Sequence, residues 1–192
     1  MKICLCILVA VALSGCGSKT SNVVSSLYGK KIDYLKGEQM LLADTIIEKF
    51  DISKPIKIVA YIDSLVCIDC FANYLREASK YIHYYYRDSV DYICIYRPKS
   101  TRDLQITMRN MDTIYSTVIL DEKGLYLKEN SLDKLEPIFT TFLLDANDRI
   151  VLIGDPLRSR EIRILYDKRI RELIENGGVQ RKEKKSSLFF AK

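Results

Sequence analysis

The chain has no tryptophan and a single histidine, His83. One imidazole excludes a multi-histidine metal centre and leaves nothing to spare for a Ser/His/Asp triad. Eight glycines and four prolines among 192 residues exclude collagen-like repeats and long Gly/Pro-rich linkers. With 48% hydrophobic and 29% charged positions the chain is not wholly disordered. Its longest apolar run, Ile3 to Leu13, is too short to span a bilayer as a mature helix, which excludes a polytopic membrane protein. A surplus of one charge sign is also missing from the body. The net charge of +5 comes from Lys2 and from the end segment, where Arg181, Lys182, Lys184, Lys185 and Lys192 face only Glu183. Acids and bases balance between those ends. A neutral body lacks the basic stripe that nucleic-acid binding needs, so no nucleic-acid partner is expected.

What is present begins with an address. Met1-Lys2 precedes the apolar run, which ends in Leu13-Ser14-Gly15-Cys16. Charge, hydrophobic length and small residues before a cysteine resemble the lipobox of bacterial lipoproteins. That resemblance implies a signal peptide over 1–15, removal before Cys16, and lipidation of Cys16. An ordinary secretory signal or an uncleaved anchor is the other reading. Several acyl chains on one residue anchor stably at a membrane surface. Residues 16–27 then form a lipidated cysteine and tether, rich in Ser, Thr, Asn and Gly from Gly17 to Ser26. Ten such residues reach at most ~35 Å. The expected location is the bacterial cell envelope, on either membrane, with the domain facing the periplasm. Cys4 and Cys6 leave with the signal and Cys16 is acylated, so Cys67, Cys70 and Cys94 remain where disulfides persist.

A domain over 28–178 and a basic, disordered tail over 179–192 are expected. Gly29 to Tyr34 predicts a short strand, and Glu38 to Phe50 has helical spacing at Leu41, Leu42, Thr45, Ile46 and Lys49. Ile56 to Ile62 is the best strand candidate. Cys67, Cys70, Phe71, Tyr74, Leu75, Ala78 and Ile82 fall on one helical face. Strands follow at Tyr92–Tyr96 and Ser116–Leu120, with a helix over Thr101–Met111 capped by Ser100 or Thr101. Thr140–Leu144 and Arg149–Ile153 read as strands joined by the turn residues Asp145-Ala146-Asn147-Asp148, too few ligands for a calcium loop. Ile162 to Ile174 is a last amphipathic helix, stopped by Asn176-Gly177-Gly178. This order predicts an α/β fold: a mixed sheet with helices on both faces.

A strand running into Cys67-Ile68-Asp69-Cys70 at the start of a helix is a redox arrangement. Residues three apart share a helix face and can close a disulfide with little backbone movement. The helix N-terminus stabilises a thiolate on Cys67. Cys67 would attack, and Cys70, expected one turn deeper and less exposed, would resolve the mixed disulfide. Two other readings stay open: a structural disulfide, or a zinc site made with Cys94. His83 lies about 20 Å along the helix from Cys70 and is out of reach of such a site; it reads as a helix-terminus residue beside Tyr84, Tyr85 and Tyr86. Cys94 in its apolar strand reads as a buried small residue. Neither a metal nor an organic cofactor is called for.

The strand, Cys67-Ile68-Asp69-Cys70, helix, strand, helix, hairpin, helix order resembles the thioredoxin-like fold. The likeness is to lipid-anchored periplasmic proteins related to the TlpA/ResA thiol-disulfide oxidoreductases. Thr140-Thr141-Phe142-Leu143-Leu144-Asp145-Ala146-Asn147-Asp148-Arg149-Ile150 is similar to that family's stretch after its cis-proline, and the Ser116–Leu120 region matches its insertion. The resemblance covers roughly residues 54 to 175. It implies thiol–disulfide exchange with protein thiols and disulfides of the envelope, and a substrate-docking loop at Phe139 and Thr140.

Some positions differ from that family. Phe139 stands where its cis-proline would be; a non-proline cis bond costs about 3 kcal/mol, so a trans peptide and an altered docking edge are expected. Val66 replaces an aromatic residue. Tyr61 occupies the place of a buried acid, which leaves Asp63 as the candidate proton acceptor. Asp69 opposes a thiolate, so a mildly acidic Cys67 is expected, with a pKa above about 6. Beside exchange, a second function class is a binding or assembly module that keeps the fold without turnover, and a third is a zinc-stabilised module.

Overall fold

Three consecutive β-branched and apolar runs form the centre of the protein in this computed structural model, which describes residues 25–34, 39–42, 45–47, 52–109, 111 and 116–180. Residues 1–15, Cys16, the tether as far as residue 24 and the end segment 181–192 lie outside the described residues, and with them the lipidation site. Strands β1 (Gln39–Leu42), β2 (Thr45–Ile47), β3 (Ile56–Ile62), β4 (Val90–Tyr96), β5 (Ser116–Leu120), β6 (Thr141–Leu144) and β7 (Ile150–Ile153) make one mixed sheet in the order β2-β1-β5-β4-β3-β6-β7. β3 and β4 run parallel, Ile56 beside Val90 through to Ile62 beside Tyr96, and β5 runs parallel to β4. β6 is antiparallel to β3, and β7 to β6. Every residue of β3 is buried, as expected for a central strand covered on both faces.

Each parallel step needs a crossover, and the helices supply it. Helix α1 (Ile68–Tyr85) connects β3 to β4, and α2 (Thr101–Arg109) connects β4 to β5. Together with α4 (Arg160–Glu175) they cover one face, where Ile58, Ala60, Tyr92, Cys94 and Leu143 of the sheet meet Phe71, Leu75, Leu104, Tyr166 and Ile170. Stacking on the other face against Tyr61 is Tyr126 of the short α3 (Tyr126–Glu129), with ring centroids 5.6 Å apart. Leu27, Ile32, Tyr34 and Leu132 complete that second core. Ser100 and Ser159 cap α2 and α4, accepting the amides of Asp103 and Ile162.

Two expectations need correction. Within the 38–50 region the described residues 39–42 and 45–47 are strands, not helix: β1 and β2 pair antiparallel, Leu42 opposite Thr45, and β1 pairs antiparallel with β5, Met40 opposite Ile119. The open edge of β5 and the β-branched Thr45-Ile46-Ile47 outweigh the helical spacing. The 29–34 segment is not a strand of its own. It makes a single bridge, Lys31 to Arg149, and is held by hydrogen bonds from Gly29 N–H to the Ile150 carbonyl and from Ile32 N–H to the Asp148 carbonyl.

Asp145 builds the β6–β7 turn by accepting the amides of Asn147 and Arg149 at 2.9 and 3.0 Å. Asp148, in the left-handed region at φ 59°, then turns its carboxylate onto the buried Lys57 at 3.0 Å and the Tyr34 hydroxyl at 3.1 Å. This pair ties the 25–34 segment to the sheet; nothing in the spacing of Lys57 and Asp148 foretold it.

Candidate active site

β3 ends at Ile62, and the next residue makes the corner. One Asp63 oxygen accepts the Leu65 amide at 3.0 Å and the Ser64 hydroxyl at 3.1 Å, while the Val66 amide donates to the Asp63 carbonyl at 3.1 Å. This side-chain turn redirects the chain from strand to helix without needing glycine. The other carboxylate oxygen accepts the Tyr61 hydroxyl at 3.4 Å. Burial and the nearby Asp63 push the Tyr61 phenol up to about 12, so it stays a donor at neutral pH. Both carboxylate oxygens of Asp63 are thus engaged within the corner, by Tyr61, Ser64 and Leu65.

Cys67 is the N-cap of α1. Its ψ of 150° keeps it extended, and its sulfur accepts the Cys70 amide at 3.1 Å. An N-cap acceptor satisfies one of the helix's unpaired N–H groups, and a thiolate at that position gains from both the hydrogen bond and the helix dipole. Cys67 and Cys70 form a disulfide, with Cα atoms 5.1 Å apart. Phe71 anchors the turn from below: it is wholly buried and stacks on Tyr96 with centroids 3.9 Å apart. The first turn is thus pinned from the core while its cysteines face outward.

The expected depth of Cys70 is wrong. It is exposed, like Cys67 and Asp69. Phe71 takes the inward position of that turn, and Cys70 rotates onto the helix flank that Tyr74 continues one turn later. Cys94 is fully buried in mid-β4, and burial followed by the charge of Asp155 pushes its thiol well above the usual range. The structure does not bring Cys94 or His83 to the pair, and among the described residues no cluster of three or more His, Cys, Asp or Glu could hold a metal ion.

A groove of about 280 Å³ opens from the end of β3. Tyr61, Tyr74, Phe139, Ile153, Asp155 and Ile162 line it, among others. Sequence reasoning missed Tyr74 and Asp155 here. Tyr74 lies four residues beyond Cys70 on one helix flank, a usable signal; Asp155 had none. The Tyr74 hydroxyl meets that of Tyr92 at 2.7 Å. Asp155 accepts the Leu157 amide at 2.9 Å and pairs with Arg158 at 3.2 Å, yet burial still raises its carboxyl above the ordinary value.

The loop facing the corner is a 3-10 turn, Pro137–Phe139, and all described peptide bonds, Phe139 included, are trans. Phe139 is half-buried against the groove and its amide donates to the Glu136 carbonyl at 2.9 Å. Thr140 follows, one residue before β6 begins. It is buried; its carbonyl accepts the Tyr61 amide at 3.0 Å, and its hydroxyl is shared between the Pro137 and Tyr61 carbonyls.

Solved structures agree with this architecture. A thioredoxin domain of a thiol-disulfide oxidoreductase from Bacteroides vulgatus superposes with a TM-score of 0.53 at 14% identity, covering 74% of this chain and 97% of its own. A candidate thiol:disulfide interchange protein DsbE from Chlorobium tepidum gives 0.54 at 14% identity, over 76% and 97%. An uncharacterized thioredoxin-like protein from Porphyromonas gingivalis gives 0.50 at 16% identity, over 80% and 99%. The chain has the thioredoxin-like fold. No family model matches its sequence, and no curated protein does. The thioredoxin-like sheet places the Cys67–Cys70 disulfide at the end of its central parallel strand, at the tip of the following helix. Among the described residues no helix is long and apolar enough to cross a membrane.

Proposed function

We propose that this chain is a membrane-tethered thiol–disulfide exchanger acting on cysteine-bearing polypeptides of the bacterial envelope, with Cys67 and Cys70 as catalytic residues and Cys16 as the lipid anchor. One observation carries the chemistry: an exposed disulfide whose first sulfur caps the helix and accepts the Cys70 amide. In the reduced form that amide favours the Cys67 thiolate. The thiolate attacks a substrate disulfide and forms a mixed disulfide while releasing the substrate's other sulfur as a thiolate. Cys70 loses its proton to water, attacks Cys67, and frees the reduced substrate, leaving the Cys67–Cys70 disulfide. Asp63 holds the corner during these steps, and Phe139 offers an apolar wall for the residues flanking the substrate cysteine. The domain spans 28–178 together with the packed turn at 25–27, whose Leu27 lies in the second core, with 16–24 as tether and the residues from 179 as tail.

Redox titration of the mature domain in glutathione buffers, read by differential alkylation of Cys67 and Cys70, tests this reading. A potential within the range of known exchangers supports it. A value below about −300 mV overturns it in favour of a structural bond. A binding or assembly role is favoured by one specific feature, the engagement of Thr140 with β3. Capture of a partner that survives Cys67→Ser, without disulfide turnover in the unaltered protein, would distinguish that role.

A further inference from the structure

The two sulfurs of the pair differ in what stabilises them, while both residues are exposed. Cys67 is the N-cap, and its sulfur receives the Cys70 amide at 3.1 Å. Cys70 lies within the first turn, next to the exposed Asp69. Both cysteines are exposed. When a thiolate attacks a disulfide, the sulfur of lower pKa is the better leaving group, so bond breaking favours expulsion of Cys67 and attack on its partner. Burial of the second cysteine would forbid that route. Here Cys70 rotates out because Phe71 fills the inward position against Tyr96.

We infer that the pair is two-ended: a reducing thiolate attacks Cys70, while Cys67 is the sulfur that attacks substrate disulfides. This rests on the exchange reading above and assigns each sulfur its own partner. In the first step the donor's sulfur bonds to that of Cys70 as the Cys67–Cys70 bond breaks, and the electron pair leaves on Cys67 as thiolate, held by the Cys70 amide. A second donor thiolate then attacks the donor sulfur of the mixed disulfide. The donor leaves as its own disulfide, and Cys70 departs as thiolate and takes a proton from water. Two donor thiols are oxidised and one protein disulfide is reduced. On this route Cys67 forms no adduct with the donor, and is released in the form that attacks substrate.

The test uses the oxidised full chain and reduced glutathione as the donor. Brief reaction, acid quenching and tandem mass spectrometry of the 67–70 peptide locate the glutathione. With Cys67 as the better leaving group, Cys70 adducts are expected in excess over Cys67 adducts, by roughly ten-fold. An even division, or an excess on Cys67, overturns the inference while leaving the exchange reading intact. No adduct on either sulfur overturns both. A second measurement isolates access. Cys67→Ser and Cys70→Ser are each loaded with thionitrobenzoate, whose low pKa directs attack onto the protein sulfur, and release by glutathione is timed. Release from Cys70 within about ten-fold of that from Cys67 supports the two-ended pair, and slower release overturns it.

Discussion

The corner from Asp63 to Phe71 and the loop from Glu136 to Thr140 meet at the same end of the sheet, with opposite outcomes. The corner satisfies its polar groups locally, through the Asp63 carboxylate and the Cys67 cap, and anchors only Phe71 in the core. Its two cysteines are left facing solvent. The loop satisfies its polar groups across the gap, on Tyr61, and so buries Thr140. The difference teaches that a reactive site needs hydrogen bonds that close upon themselves. Where the neighbouring strand supplies the partners, the polar groups of the loop are satisfied within the fold.

The largest expected effects break the corner chemically. Cys67→Ser should remove dithiol-driven disulfide reduction, a loss on the order of 100-fold or more because the thiolate is the nucleophile. Cys94→Ser should leave the rate within about two-fold, since that thiol is buried and its pKa is raised. An insulin-type disulfide reduction assay on the pair of variants decides between them; equal losses would contradict the assignment. Next comes the anchor. Phe71→Ala removes a fully buried ring stacked on Tyr96 and should cost about 3–5 kcal/mol, read from urea unfolding midpoints. A cost under about 1 kcal/mol would mean that the first turn is not held from below.

Most of the central fold was legible in the sequence because its signals are local. The Ile56–Ile62 run, the three- and four-residue steps after Cys67 and the turn at Asp145–Asp148 each carry their own periodicity or turn chemistry, and each stands within a few residues of where it was expected. The failures share a cause. Gln39–Ile47 has helical spacing, but the free edge of β5 decides its state, and an edge lies outside any local window. Cys70 shares a helix face with Cys67 in sequence, yet which residue of that turn points inward depended on a ring of β4, Tyr96. Asp63 was recognisable as a polar group near the cysteines, but its bond to the Leu65 amide, two residues on, was not. Tyr74 and Asp155 reach the groove from α1 and the β7–α4 connection, a meeting that only topology reveals.

The loop can be broken in its turn. Phe139→Pro deletes the amide that donates to Glu136 and restricts Ile138, which sits in a 3-10 turn; it should destabilise by about 1–3 kcal/mol. If the variant instead exchanged disulfides faster with unchanged stability, the loop as folded would not be what limits docking.

Asp63 sharpens the comparison with a smaller effect. Asp63→Ala removes the acceptor for Leu65 and should cost about 1 kcal/mol. Asp63→Asn keeps an acceptor and should retain both stability and exchange rate within about two-fold. A rate loss in Asp63→Asn that grows toward neutral pH would make the carboxylate a proton acceptor after all.

The smallest expected effect lies in the groove, at Asp155. Burial raises its carboxyl above the ordinary 3.8, so the folded protein holds this proton more tightly than the unfolded chain does. Its contribution is therefore fully present below about pH 4 and is lost as pH rises through the folded value. Asp155→Asn has no such titration, and an asparagine oxygen can still accept the Leu157 amide. Urea unfolding at several pH values should show the variant gaining on the parent protein from about pH 4 upward, offset in part by the lost Arg158 pair. A gap that stays constant with pH would place this carboxylate in water, and the groove floor would then be more open than the corner beside it.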